Sequence, residues 1–483
     1  EEGIKSTILG KKSDRHRASS YAKSQGPAGF QFPIHPAKLT QATQIRMVRR
    51  GVVVSLLLIV GVSLTIAEPK HRIDSIAPEL MSWKAAHFNE NDAVLVETSN
   101  KRNIASLNAE LPMIPASTLK ILTAQMSLDR WGAKYRWRTR FLVNGPVLTV
   151  MGSGDPYLVS EELLLVAKGL AKHIKQPIRK VIIDSSAFND ELVPGRSRVN
   201  DPYNAPMSAV AANFNTVQLR RTANGFVSGE AQTPLTPIAL KLGIRAAGQE
   251  SWPVGSVKRV NLVSSENAQR QFAELLIEFL GQHDPGLVDL PRMEISSATS
   301  AAKNEPMHRS LEASSVSEIE RSEYLHINSK PLDQILIGAL KYSNNLITNQ
   351  VFLTLDESPI KSFKGATNAA TQWIDSLFEW TDYAIQDGSG LSVDNRLSAA
   401  QMNEVLWLFS AQQELLPLTE FTEFDAKVFA KTGTLNNVRS LAGFIHVGDK
   451  AYTFSYFFNR TVPWKHRENT LRALVKQLAR TPL

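Results

Sequence analysis

The stretch PASTLKILTAQMSLDRWG, residues 115–132, leads from a proline into an apolar run and anchors the interpretation of the whole chain. Its pattern predicts a helix over residues 118–131, with Gly132 placed to end it. Ser117 stands at the start of this helix and Lys120 follows three residues later, so their side chains share one helical face. A serine hydroxyl becomes a good nucleophile only when a neighbouring base takes its proton. The stretch therefore predicts a serine nucleophile with an amine beside it.

The pattern S-x-x-K carries little weight by itself, because a chain of this length contains about two copies by chance. It occurs four times here, beginning at Ser20, Ser117, Ser300 and Ser358. Only the copy at Ser117 opens a long apolar helix and precedes two further motifs. Its position, and not its presence, makes it a candidate.

Two further motifs follow in order, S-x-N at Ser343–Asn345 and K-T-G at Lys431–Gly433. Taken singly, the first can be explained as a helix-capping Ser-Asn pair, which is common, and Lys431 of the second as an edge-strand lysine. The ordered set S-x-x-K, S-x-N and K-T-G is typical of β-lactamases and penicillin-binding proteins. The combination therefore predicts a shared catalytic cleft.

The residue types predict a role for each motif. Lys120 can act as the base only if its pKa falls well below about 10.4, and burial beside a second cation, Lys431, lowers it. Ser343 is placed to pass a proton to a leaving amine, and Asn345 to hold Lys120 and a substrate carbonyl. The candidate catalytic residues are Ser117, Lys120, Ser343, Asn345 and Lys431.

The strand that carries Lys431 predicts the substrate-binding side of the cleft. The hydroxyls of Thr432 and Thr434 suit a terminal carboxylate. Gly433 has no side chain, so the backbone can approach the substrate closely. The backbone N–H groups of Ser117 and Thr434 are candidate donors to an oxyanion.

With these motifs, the sequence resembles the D-alanyl-D-alanine carboxypeptidase/endopeptidase family of penicillin-binding proteins, in the branch with a large insertion between the first two motifs. The likeness covers about residues 80–483 and extends to GSGDP at 152–156, DGSGLS at 387–392 and the run 430–444. We expect the segment 387–392 to be a structural loop near the site. The resemblance implies a serine peptidase that cuts D-Ala-D-Ala bonds of peptidoglycan stem peptides through an acyl-enzyme on Ser117, with β-lactams as covalent inhibitors.

Two alternatives remain open from the sequence. The first is a β-lactamase, since Tyr342–Asn344 matches the Y-x-N of another β-lactamase class, although no E-x-x-x-N segment for rapid deacylation is evident. The second is a non-catalytic cell-wall binding or scaffold protein, against which the intact motifs argue. The chain has neither a G-x-S-x-G elbow nor an H-E-x-x-H helix, and its ten histidines form no spaced cluster. We therefore predict no metal and no cofactor.

The N-terminal part of the chain differs in composition from the rest. Residues 1–50 hold ten Lys or Arg and three acidic residues, and the whole chain has a net charge of +8. The remainder is thus close to neutral and predicts no nucleic-acid partner. Residues 47–67 (MVRRGVVVSLLLIVGVSLTIA) predict a signal peptide or, if uncleaved, a membrane anchor, and hence a periplasmic or extracytoplasmic protein. We interpret residues 1–46 as a disordered or non-native tail.

Strand patterns near both ends of the body, with helices between them, predict an α+β fold. We expect one antiparallel sheet built from both ends and flanked by helices, as in the penicillin-binding/β-lactamase-like transpeptidase domain. One continuous helix is expected over 331–355. We assign residues 68–184 and 321–483 to the serine DD-peptidase domain, and residues 185–320 to an inserted accessory domain that is mainly β.

Overall fold

A computed structural model describes residues 78–196, 201–298 and 321–480. The predicted tail, residues 1–46, and the predicted signal or anchor segment, residues 47–67, lie outside these ranges. Among the residues that the structure describes, no helix is long and apolar enough to cross a membrane.

The α-helices of the described residues, in chain order, are α1 (Pro78–His87), α2 (Lys120–Trp131), α3 (Ser160–Leu170), α4 (Pro237–Gln249), α5 (Ser265–His283), α6 (Leu332–Lys341), α7 (Asn345–Thr354), α8 (Phe363–Leu377), α9 (Ala399–Phe409) and α10 (His466–Arg480). The strands are β1 (Ala93–Thr98), β2 (Asn103–Leu107), β3 (Arg138–Asn144), β4 (Val147–Met151), β5 (Lys180–Asp184), β6 (Thr216–Thr222), β7 (Gly225–Ser228), β8 (Val257–Asn261), β9 (Glu294–Ala298), β10 (Arg321–Ile327), β11 (Leu418–Phe421), β12 (Ala426–Leu435), β13 (Val438–Val447) and β14 (Lys450–Phe458).

The largest sheet joins strands from both ends of the described chain. Its order is β11-β12-β13-β14-β1-β2, and every pairing is antiparallel. Pairing of β1 with β14 unites the N-terminal hairpin with the C-terminal strands. The predicted α+β fold with one antiparallel sheet built from both ends is confirmed.

Each face of this sheet buries its own core, because side chains alternate along a strand. Tyr452, Phe454 and Tyr456 of β14 pack with α1 and α10 on one face. Phe457 lies on the opposite face, in a larger core with α2, α6, α7, α8 and α9. Helix α2 is central to that core, and its residues from Lys120 to Leu128 are all buried.

A second layer carries most of the segment between the first two motifs. Its mixed sheet has the order β10-β3-β4-β5-β9 and packs against α3 and α5. A small sheet, β7-β6-β8, packs against α4. Helix α4 was not expected from the sequence. The Thr236 hydroxyl caps the start of α4 by accepting a hydrogen bond from the Ala239 N–H. The same hydroxyl donates to Gln271 Oε1 of α5. The described residues of 185–320 thus hold helices α4 and α5 beside the predicted strands, so this segment is less strand-rich than the mainly β domain that was expected. The domain boundaries stay a prediction.

The helix predicted over 331–355 is divided into α6 and α7 at Tyr342–Asn344. Ser343 has φ of +53°, a left-handed conformation that cannot continue a right-handed helix. The Asn344 side chain then begins α7 by accepting a hydrogen bond from the Ile347 N–H at 3.1 Å. The division is local, and it falls on the S-x-N motif.

Candidate active site

Ser117 lies on a short turn, and not within the long helix that follows. A single 3-10 turn, Ala116–Leu119, precedes α2, and Ala116 has φ of +49°. The predicted helical start near residue 118 is therefore tighter than an α-helix for its first turn. This turn leaves Ser117 half-buried, while Lys120 at the first position of α2 is fully buried.

The Lys120 amine has three close oxygen neighbours. Its Nζ lies 3.1 Å from Ser117 Oγ, 2.7 Å from Asn345 Oδ1 and 2.6 Å from the Ser389 carbonyl oxygen. Burial, and then the charge of Lys431, lower the pKa of Lys120 well below its ordinary value, although Asp387 opposes the shift. A neutral amine can donate to Asn345 and Ser389 and still direct its lone pair at the Ser117 hydroxyl. The geometry suits a base for Ser117.

The Lys431 amine faces the same groove from strand β12. Its Nζ donates to Ser343 Oγ at 3.0 Å and to the Thr432 carbonyl at 2.7 Å. Burial, together with the charge of Arg467, lowers the pKa of Lys431 to about 7. Burial is the main cause of the lowered pKa of both lysines, and each is lowered further by a neighbouring cation.

The division between α6 and α7 aims the S-x-N side chains into the groove. Ser343 meets Lys431, and Asn345 accepts from Lys120 while its Nδ2 donates to the Tyr203 carbonyl at 3.0 Å. The structure thus brings together all five residues that the sequence singled out as catalytic candidates, namely Ser117, Lys120, Ser343, Asn345 and Lys431.

The K-T-G strand presses directly on the turn that carries the serine. A side chain at Gly433 would place its Cβ 2.0 Å from Ser440 Oγ, 2.7 Å from the Pro115 carbonyl oxygen and 3.0 Å from the Ser117 nitrogen. The sequence predicted that Gly433 admits the substrate. The structure shows that Gly433 makes room for the Ser117 turn, which Ser440 Oγ fixes by donating to the Pro115 carbonyl at 2.6 Å. The role in substrate approach stays a prediction.

The two threonines of this strand are exposed at the mouth of the groove. The Thr432 carbonyl points toward Lys431 inside the groove. Backbone groups of residues two apart point to the same edge of a strand, so the Thr434 N–H faces the groove as well. Thr434 Oγ1 accepts a hydrogen bond from Arg467 at 3.1 Å, a contact that no motif in the sequence predicts.

The loop 387–392 has a closer role than the structural one expected from its sequence. The buried Asp387 carboxylate accepts from the backbone N–H groups of Ser389, Leu391 and Ser392 at 2.7, 3.2 and 2.9 Å. These bonds fix the Ser389 carbonyl against Lys120. The DGSGLS string was visible in the sequence, but only the folded chain shows that its backbone contacts Lys120.

A cavity of about 490 Å³ continues the groove beyond Ser343. It is lined by Tyr157, Tyr203 and Phe214 on one side and by the start of α7 on the other. A larger cavity of about 660 Å³ beside Arg130 is lined by none of the five candidate catalytic residues. Within the described ranges, no group of three His, Asp or Glu residues could hold a metal ion.

Comparison with known proteins points to one family. The model of the D-Ala-D-Ala carboxypeptidase 3 (S13) family matches residues 85–250 and 312–481, more than half of the chain. D-alanyl-D-alanine carboxypeptidase DacB of Haemophilus influenzae is 24% identical over 447 residues, covering 78% of this chain and 87% of that protein. Carboxypeptidase Rv3627c of Mycobacterium tuberculosis is 24% identical over 416 residues, covering 76% of each chain.

Solved structures share the fold. The crystal structure of penicillin binding protein 4 (dacB) from Haemophilus influenzae matches with a TM-score of 0.60 and 19% identity, covering 83% of this chain and 98% of that chain. The same protein complexed with a β-lactam matches with a TM-score of 0.58, 19% identity, and coverage of 83% and 99%.

Proposed function

We propose a catalytic role for each residue of the groove. The premise is that this chain belongs to the D-Ala-D-Ala carboxypeptidase 3 (S13) family. The family match confirms the resemblance stated from the sequence motifs. The chain is a serine DD-peptidase that acts on peptidoglycan. In the proposed mechanism, Ser117 is the nucleophile.

One observation carries these roles. Lys120 Nζ lies within hydrogen-bond distance of Ser117 Oγ and Asn345 Oδ1, and Lys431 Nζ lies within the same distance of Ser343 Oγ. The nucleophile therefore has a base within hydrogen-bond distance, and a second proton carrier, Ser343, is bonded to Lys431, whose charge acts on Lys120.

In the first step, Ser117 Oγ attacks the carbonyl carbon of the penultimate D-Ala, while neutral Lys120 takes the hydroxyl proton. The carbonyl oxygen becomes an oxyanion, which accepts hydrogen bonds from the backbone N–H groups of Ser117 and Thr434. The hydroxyls of Thr432 and Thr434, with the Lys431 cation, hold the terminal carboxylate.

In the second step, the C–N bond breaks and the leaving amine takes the hydroxyl proton of Ser343. Because Lys431 donates to Ser343 Oγ, it replaces that proton as it departs. A proton shift from Lys120 to Lys431 through Ser343 then restores both lysines. Water attacks the ester, Lys120 takes one water proton, and that proton returns to Ser117 as the acid product leaves.

The same contacts suit a cross-link in which a carboxylate follows the scissile bond, so we extend the proposal to endopeptidase action. β-Lactams would acylate Ser117 in the position of the substrate. Because peptidoglycan lies outside the cytoplasmic membrane, the enzyme acts outside the cytoplasm. Export through a signal peptide at residues 47–67 stays a prediction.

Mass spectrometry of digested muropeptides tests the proposal, with Ser117→Ala as the paired variant. We expect the wild type to remove one terminal alanine or to convert cross-linked dimers to monomers, and the variant to do neither. Benzylpenicillin should add its mass at residue 117 of the wild type alone. A folded wild type that takes up no penicillin and leaves muropeptides intact contradicts the proposal, and rapid nitrocefin turnover would favour the β-lactamase alternative.

A further inference from the structure

Arg467 lies on helix α10 and contacts the K-T-G strand from outside the motif set. Its Nη1 donates to the Gly433 carbonyl at 3.0 Å and to Thr434 Oγ1 at 3.1 Å. The arginine side chain is only 12% exposed. A nearly buried guanidinium thus fixes the end of the strand that is proposed to hold the substrate carboxylate.

The direction of the bond to Thr434 has a chemical consequence. A guanidinium has only donors, so Thr434 Oγ must be the acceptor in this contact. The hydroxyl hydrogen of Thr434 is then directed away from Arg467 and is free to donate to another group. An anion is the natural partner, because a carboxylate only accepts.

The remaining guanidinium nitrogens do not reach the strand. Nε and Nη2 donate to Glu468 Oε1 at 3.1 and 2.7 Å, and that glutamate is 54% exposed. The charge of Arg467 is still felt at Lys431, whose pKa burial lowers first and Arg467 second. Lys120 of α2 is the other cation facing Lys431. The charge of Lys431 lowers the pKa of Lys120, and the charge of Asp387 raises it.

We propose that Arg467 is a positioning residue that holds Thr434 as a hydrogen-bond donor to the terminal carboxylate of the substrate. The proposal rests on the proposed function, because it needs that carboxylate to bind beside Thr432 and Thr434. It assigns to α10, far from the three motifs in sequence, a part in substrate selection.

The test compares a diacylated tripeptide ending in D-Ala-D-Ala with the same peptide carrying a C-terminal amide. Arg467→Gln should lower kcat/KM for the acid about 10-fold or more, since a hydrogen bond to a charged group is lost. The loss should appear mainly in KM. Hydrolysis of the amide should change much less, so the acid-to-amide ratio of kcat/KM falls.

A pH profile separates positioning from electrostatics. Removing the positive charge raises the pKa of Lys431, so the basic limb of kcat/KM should move to higher pH in Arg467→Gln. Arg467→Lys keeps a charge but lacks the planar fork, so it should keep the limb near its original pH while the acid-to-amide ratio still falls. Should the glutamine variant fail to fold, the ratio measured for the lysine variant decides.

Arg472→Gln is the matched control, because Arg472 lies on the same helix, is 61% exposed and pairs with Glu423. It should leave the ratio and the pH profile unchanged. The proposal is overturned if both Arg467 variants lose kcat/KM equally for the acid and the amide, so that the acid-to-amide ratio is unchanged, while penicillin still labels Ser117. Failure of the wild type to label would instead refute the proposed function, so the two outcomes are distinct.

Discussion

Two buried clusters of charged side chains in this molecule are built on opposite principles. The acid cluster, formed by Asp155, Glu162, His326, Asn328 and Ser329, joins α3 to the end of β10. Asn328 Nδ2 lies 2.9 Å from both Asp155 oxygens, and His326 Nε2 lies 2.7 Å from Glu162 Oε1. Each carboxylate is met by groups that complement it, as expected where burial serves structure.

The lysine cluster, Lys120 and Lys431, buries two amines whose protonated forms repel each other. Their hydrogen bonds go to hydroxyl, amide and carbonyl oxygens. Asp387 is the acid whose charge acts on Lys120, but its carboxylate oxygens accept hydrogen bonds from backbone N–H groups of its own loop. Burial without a direct counterion lowers the pKa of both amines, which is what a base requires. Burial without a complementary charge, more than burial itself, therefore marks the functional site.

The largest expected effect is the loss of catalysis on removing the amine from the lysine cluster. Lys120→Met keeps the length of the side chain but removes the base. We expect penicillin acylation and D-Ala release to fall about 10³–10⁴-fold, at the upper end for general-base catalysis. Stability should change by less than about 1 kcal/mol, because the lost hydrogen bonds are offset by relief from burying an amine. Stopped-flow acylation and urea unfolding measure the two quantities, and retained acylation contradicts the proposed base.

A substitution in the loop 387–392, whose Ser389 carbonyl contacts Lys120, should reduce acylation by a smaller factor. Gly390 and Gly132 both have φ of +76°. A Cβ added at residue 390 would lie 1.8 Å from the Ala116 carbonyl oxygen, whereas a Cβ added at residue 132 would have no atom within 4 Å. Gly390→Ala should therefore displace the Ser117 turn and reduce acylation about 100-fold.

Gly132→Ala is the control for Gly390→Ala, because Gly132 shares the positive φ of +76° but has no atom in the way of an added Cβ. Its backbone (φ +76°, ψ +156°) lies in a region that is nearly restricted to glycine, so the substitution should cost about 1–3 kcal/mol of stability. Its acylation rate should stay close to that of the wild type. Equal acylation rates in the two alanine variants would show that the close approach to Ala116 is unimportant.

The acid cluster should respond in stability and not in activity. Glu162 accepts from His326 and from the Ser329 N–H at 2.7 Å each. Although burial raises it, these hydrogen bonds leave the pKa of Glu162 below its ordinary value. Glu162→Gln should destabilise the protein by about 2 kcal/mol, with kcat/KM of the folded fraction unchanged. Denaturant unfolding and peptide hydrolysis test this, and a loss of activity with normal stability would erase the distinction between the clusters.

The last expected effect concerns the pH dependence of stability and leaves catalysis unchanged. Burial raises the pKa of Asp155 to about 6 from 3.8. A raised folded pKa favours the folded state below the unfolded value, and this contribution is lost as pH rises through about 6. Asp155→Asn removes this contribution, whereas Glu162, with the opposite shift, remains in both proteins. The stability difference between wild type and variant should therefore vary between about pH 4 and 7, and a constant difference measured by urea unfolding would contradict it.

The sequence determined the parts of the site that depend on local spacing. Three residues along a helical turn place Lys120 beside Ser117 whatever the rest of the chain does, because helix geometry is local. The strand patterns at both ends likewise predicted the antiparallel sheet, since alternation of apolar residues reports which faces are buried. The ordered motifs then predicted a common cleft.

Only the tertiary structure decided the features that depend on long-range contacts. The apolar pattern over 331–355 concealed the division at Ser343, because a left-handed residue leaves no mark on hydrophobic periodicity. The contact of Ser389 with Lys120 and that of Arg467 with Thr434 join residues 269 and 33 positions apart. Periodicity reports which face of an element is buried, but it does not report which distant backbone or side chain will meet that face.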